Sequence, residues 1–130
     1  MSDPAPSDPV WKNEPDEHDY PAAHSYLTLL ASDKEITDIV TRLKAARLST
    51  YKAKDILRAS GLELLPRDNA HVVKDLGKVS AGDKLSPVLL VRGDINLGIN
   101  AQIADGYHRV CASYHLDENA DIPCHIVSIK

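Results

Sequence analysis

Between Ala22 and Gly82 the apolar positions recur with a helical period. The run AAHSYLTLLA, residues 22–31, reads as a short helix. Ser32-Asp33-Lys34-Glu35 then forms a capping box, a Ser at the N-cap with a Glu three residues on. The helix it opens sets Ile36, Ile39, Val40 and Leu43 at the i, i+3, i+4, i+7 spacing of a buried stripe. Ser49-Thr50 breaks this pattern and is expected to cap a helix over Tyr51 to Ala59, closed at Gly61. Leu62-Glu63-Leu64-Leu65 is a short apolar run stopped by Pro66. Asp68 or Asn69 then caps a helix through His71, Val72, Leu76 and Val79.

After Gly82 the period changes. Pro87-Val88-Leu89-Leu90-Val91 is almost continuously apolar, the mark of a strand covered on both faces. Arg92 to Asn100 is polar and punctuated by glycine, so a hairpin loop is predicted there, with Ala101 to Ala104 as the returning strand. Residues 107–116 read as a helix and Ile122 to Ile129 as a last strand. Helices first, then strands and helices intermixed, predict an α+β fold with a small mixed sheet. The expected organisation is a tail over 1–21, a helical extension over 22–61 and the domain proper over 62–130.

Composition sharpens these boundaries. Residues 1–21 hold six acids, one base and five of the eight prolines. A segment so charged and Pro-rich buries too little apolar surface to offset its ordering entropy, so disorder is expected, with docking of Val10 and Trp11 on the domain or a neighbour as the alternative. Without it the net charge of -4 nearly vanishes. Phe is absent, which leaves the core to Leu, Ile, Val and Ala. No run approaches the ~20 apolar residues of a membrane span, and MSDPAPSDP lacks the basic and apolar parts of a signal peptide. Cys111 and Cys124 are therefore expected to stay reduced, in a cytoplasmic protein.

The densest chemistry lies in IADGYHRVCASYH, residues 103–115. Asp105-Gly106 is the junction of a strand and a helix, and the first turn of that helix exposes unpaired N–H groups at the positive end of its dipole. Gly106 would let a ligand approach the backbone. Tyr107 lies in the turn, and His108 and Arg109 add donors at the same end, the makings of a phosphate site. The simpler alternative is that Asp105 caps the helix and Arg109 makes an ion pair. Asp105 and Glu63 are the carboxyls whose chemistry suits a base.

Strand PVLLV, a loop, QIADGYHRVCA, a helix and IPCHIV together resemble the ParB/sulfiredoxin superfamily, whose Gly-x-x-Arg turn joins a strand to a helix. Gly106 and Arg109 fall on that Gly and Arg. His108-Arg109 is similar to the His-Arg of sulfiredoxin, and Asp105-Gly106 with Arg109 to the Asp-Gly-x-x-Arg form of the free-serine kinase branch. The resemblance implies a ParB/sulfiredoxin-like fold whose turn holds the phosphates of CTP, ATP or ADP. It also matches Arg67 to an upstream Arg near the nucleotide. Arg109 and His108 would neutralise phosphate oxygens, and Asp105 would hold Mg²⁺ or orient Arg109. The reactions implied are phosphoryl transfer or nucleotide hydrolysis. Tyr107 stands where sulfiredoxin has a Cys, so sulfinic acid reduction is not expected.

Other groupings carry other readings. His108, Cys111 and His115 share a helix face near Cys124-His125 in sequence, but no paired Cys-x-x-Cys or His-x-x-x-His knuckle accompanies them, and the cysteines read as small core residues. Residues 42–58 carry six bases against Asp55 alone. Two short helices there would form a helix-turn-helix with Arg47, Lys52, Lys54 and Arg58 on its positive face, a DNA-binding, partition-related alternative. A third class is an interaction module without catalysis, using the Trp11 tail. The expected partner is a nucleotide or other phosphorylated small molecule, with DNA or a second copy of the chain as alternatives and no membrane.

Overall fold

A computed structural model describes residues 8–130. Its centre is β4 (Val88–Val91), the apolar run, with all four residues buried. It pairs in parallel with β6 (Asp121–Val127) and antiparallel with β5 (Gln102–Asp105). β6 pairs on its far side with β2 (Leu48–Lys52), antiparallel, giving the order β2-β6-β4-β5. Successive side chains of a strand point to opposite faces, and β4 divides its residues accordingly. Leu89 and Val91 join a core with Ala23, Leu27, Ile36, Ile39 and Leu43, from α1 (Asp19–Leu27) and α2 (Asp33–Ala45). Val88 and Leu90 join a second core on the other face. That core is built with α3 (Ala53–Ser60), α4 (Ala70–Ala81) and α5 (Tyr107–Leu116). The fold is mixed α+β, a mixed sheet between two helical layers.

Local signals explain the helix ends. Ser32 Oγ accepts from the Glu35 amide at 3.3 Å, the N-cap half of a capping box, and donates to the Glu35 carboxylate at 2.9 Å. The Asn69 side chain accepts from the amides of His71 and Val72, at 3.0 and 3.2 Å, and opens α4. Gly61 (φ 68°) and Gly82 (φ 78°) close α3 and α4 in the left-handed region.

Four expectations are corrected. The tail expected over 1–21 is ordered from Val10. β1 (Val10–Trp11) pairs in parallel with β3 (Lys84–Leu85), Trp11 packs on the second core, and α1 starts at Asp19. Two apolar side chains and the buried Asp19 outweigh the composition; the part of that expectation on residues 1–7 lies outside the described residues. Pro21 sits in the first turn of α1, where its missing N–H costs nothing.

Ser49-Thr50, expected as a helix cap, lies inside β2. Thr50 and Tyr51 suit a pleated surface, and the strand finds its partner in β6. The expected extension over 22–61 is therefore no separate unit, since it supplies an edge strand and one helical layer to the sheet of residues 62–130. For the same reason the bases of 42–58 lie on a helix, a strand and a helix rather than on a helix-turn-helix. The loop over 92–100 is the hairpin connection expected, with a 3₁₀ turn at Ile95–Leu97. No helix among the described residues is long and apolar enough to cross a membrane.

Candidate functional site

β5 ends at Asp105, Gly106 turns the chain at φ 110°, and α5 begins at Tyr107. Gly106 is the N-cap of α5 and offers no side chain to its amides. The start of the helix opens on a polar cavity of about 280 Å³. The segment after β1, the start of α1, one face of α4 and the stretch from Lys84 to Ser86 make its walls.

The absent Cβ of Gly106 has a packing reason. A Cβ there would lie 2.4 Å from Val88 Cγ1 and 2.8 Å from Arg109 Nη2. The space is thus taken by β4 and by the guanidinium, not held open for a ligand.

Arg109 is spoken for within the protein. Its side chain is 12% exposed. Nη1 donates to the Ser86 carbonyl at 2.7 Å and also to the Ser86 hydroxyl. Nη2 donates to Asp105 Oδ2 at 2.6 Å, and Asp19 Oδ2 lies 3.5 Å from Nη1. Asp19 in turn accepts from Ser86 Oγ at 2.7 Å and from the Asp16 amide at 3.1 Å. This network ties α1, β5, α5 and Ser86, two residues before β4, to one guanidinium flanked by two carboxylates. Burial raises the Asp105 carboxyl, and Asp19 pushes the same way against the pull of Arg109. Asp105 thus orients Arg109. It does not fit Mg²⁺, because a dication on the same carboxylate would displace the guanidinium.

The other expected residues are dispersed. The His108 ring faces the cavity beside His71, centroids 4.6 Å apart, and burial, then His71, lowers its pKa. It offers a neutral imidazole at pH 7 rather than a cation. Tyr107 points away, its hydroxyl donating to the Glu63 carbonyl, and burial raises its pKa. Neither Tyr107 nor Glu63 lines the cavity. Arg67 donates to the His115 carbonyl at 3.3 Å, in the last turn of α5, the opposite end from Gly106. Arg47, Lys52, Lys54 and Arg58 are exposed around β2 and α3. Lys52 faces Asp121 at 3.8 Å and Arg58 faces Asp55 at 3.3 Å.

Cys111 and Cys124 are fully buried thiols, and burial raises both, Cys124 to about 12. His115 and His125 bond to the carbonyls of Leu65 and Leu43. The core reading of the two cysteines therefore holds. Asp16, His18 and Asp19 do bring metal-type ligand atoms within 4.8 Å of one another. However, Lys12 holds Asp16 at 2.6 Å and Asp19 belongs to the Arg109 network.

The sequence alone did not single out the remaining wall of the cavity. His71, Lys74, Asp75 and Lys78 line it from α4, with Lys84 beyond. The signal was present, since these four positions repeat at i, i+3, i+4 and i+7, a polar stripe on a helix whose apolar residues drew the attention. Among the described residues Lys74, Lys78 and Lys84 have no ion pair, while Lys12 and Arg109 do. Comparison of the chain with family models, with curated proteins and with solved structures finds no match.

Proposed function

We propose that this chain is a ParB/sulfiredoxin-like protein that binds a phosphorylated small molecule, CTP, ATP and ADP included, at the start of α5. The observation that carries the reading is a charge imbalance at an uncapped helix start. Three lysines with no ion pair among the described residues, Lys74, Lys78 and Lys84, share a cavity with the N-terminus of α5. Free amides, the helix dipole and unpaired ammonium groups together favour an anion. The turn Asp105-Gly106-x-x-Arg109 between strand and helix is what the superfamily resemblance implies. In this reading Arg109 shapes the mouth by holding β5, α1 and Ser86 together, and the lysines and amides meet the phosphate. The volume lies just under the ~300–1,000 Å³ of drug-sized ligand sites. It suits a phosphate with a compact neighbour, leaving a nucleotide base outside.

Thermal unfolding of the full chain against CTP, ATP, ADP and inorganic phosphate, with and without Mg²⁺, tests this. A ligand at 100 times its Kd adds about 2.7 kcal/mol. At least one should raise the midpoint, and the double variant Lys74→Ala/Lys78→Ala should lose most of that rise. No rise with any ligand, or an equal rise in the variant, would sink the reading. Phosphate release in the same samples reads hydrolysis directly.

A further inference from the structure

We propose that Asp75 is a second recognition group of this cavity, accepting hydrogen bonds from the hydroxyls of a phosphorylated sugar or nucleoside. The inference rests on the phosphate reading above and names the rest of the ligand.

Asp75 lies in the middle of α4 and is 8% exposed, yet it lines the cavity. A carboxyl with so little exposure keeps little water around it and gains from a hydrogen-bond donor. The other three carboxyls of the cavity are engaged: Asp16 by Lys12, Asp19 by Ser86, Asp105 by Arg109. Among the described residues nothing hydrogen-bonds to Asp75, and no cation lies within ion-pair distance. Its oxygens are not sealed off, since no buried side-chain oxygen is left without a partner. What access they keep is on the cavity side. An ionised carboxyl only accepts hydrogen bonds, so the missing partner is a donor.

The surroundings say which donor. A ligand ammonium would meet Lys74 and Lys78 on the same helix face and Lys84 across from it. A neutral hydroxyl avoids that repulsion, and the phosphate on the same molecule uses it. A second phosphate close to Asp75 would be repelled. The ligand that satisfies both demands is therefore an anion held between the start of α5 and the lysines, carrying neutral hydroxyls that reach Asp75.

The experiment is calorimetric titration of the full chain, in EDTA, with ribose 5-phosphate and with ethyl phosphate, which has the anion but no hydroxyl on its carbon part. Wild type should bind ribose 5-phosphate more tightly by roughly tenfold or more, the worth of a hydrogen bond to a charged group. In Asp75→Ala the two esters should bind within about twofold of each other, with ethyl phosphate as tight as before or tighter. Asp75→Leu, which keeps the branched shape and has no acceptor, repeats the test should the alanine variant fold poorly. A preference that survives the substitution, or an equal weakening of both esters, would overturn the role of Asp75 and leave the phosphate reading standing. Failure of wild type to bind either ester overturns both.

Discussion

Replacing Arg109 by Ala should reveal itself as a loss of fold stability before any loss of binding. The guanidinium is 12% exposed and faces Asp105 at 2.6 Å and Asp19 at 3.5 Å, with Ser86 holding both Nη1 and Asp19. Its removal leaves two carboxylates close together in a largely dry pocket with no cation between them. Breaking a buried pair by removing one partner costs about 3–5 kcal/mol, mostly the penalty of the charge left behind. At about 3–5 °C per kcal/mol for a chain of this length, the thermal midpoint falls by roughly 10–20 °C. Urea unfolding followed by circular dichroism gives the free energy, with the slope m unchanged if the end states keep their compactness. Arg109→Lys should recover only part of the loss, because an ammonium cannot reach Ser86 and both carboxylates in one plane. Arg109→Met combined with Asp19→Asn and Asp105→Asn should recover most of it, since the stranded charges are then gone. A loss below about 1 kcal/mol in Arg109→Ala, the value of an exposed pair, would refute the argument. Arg109 would then be free to act as a phosphate ligand.

Gly106→Ala should destabilise by about 1–3 kcal/mol, because φ is 110° and the new Cβ would meet Val88 at 2.4 Å. Urea midpoints of Gly106→Ala with and without Val88→Ala check it, since relief of the clash should make the second change less costly than in wild type. Stability should fall as pH drops below the ordinary imidazole value of 6.5, because burial holds His108 below that value and the unfolded chain takes up the proton first. Asp75 and Asp105, both raised by burial, act in the opposite sense, since there the folded chain takes up the proton first. Unfolding midpoints from pH 8 to about 5 should therefore slope less in His108→Gln than in wild type. Identical slopes would remove His108 from the account.

What the sequence made legible was local. Ser32 and Glu35 lie three residues apart and cap α2 whatever the rest of the chain does, and Asn69 opens α4 through its own next amides. β4 was legible because burial on both faces requires an apolar residue at every position. β2 was not. Its Leu48, Thr50 and Tyr51 are exposed at the sheet edge, so they carry no alternation, and Ser49-Thr50 has the chemistry of a cap. The deciding term is the ladder to Leu48–Lys52 from Asp121–His125, more than sixty residues away. The candidate site divides the same way. The Asp105-Gly106 junction and the open start of α5 follow from neighbouring residues. Of the partners of Arg109, Asp105 lies four residues away, but Ser86 and Asp19 reach it only through the sheet and α1. Arg67, taken from resemblance alone, stands at the wrong end of the helix.

That division bears on how far the N-terminal segment belongs to the site. Lys12, Asp16 and Asp19 all come from the acidic stretch, and all line the cavity. β1 fixes Lys12 by pairing with β3, and the Lys12 amide donates to the Leu85 carbonyl at 2.8 Å, next to Ser86. A chain starting at Ala22 would lose the buried Tyr20 from the first core and the part-buried Trp11 from the second, each worth up to about 1.5–3 kcal/mol. It would also lose Asp19, though Asp105 would still pair with Arg109. Deletion of residues 1–21 should therefore lower stability by about 3–5 kcal/mol in urea unfolding. The remaining chain should also bind phosphate esters with altered affinity. Were the segment a mere arm for a partner, the shortened chain would unfold at the same urea concentration as the whole. That result would detach Asp19 from Arg109 and return the acidic stretch to the role of a tail.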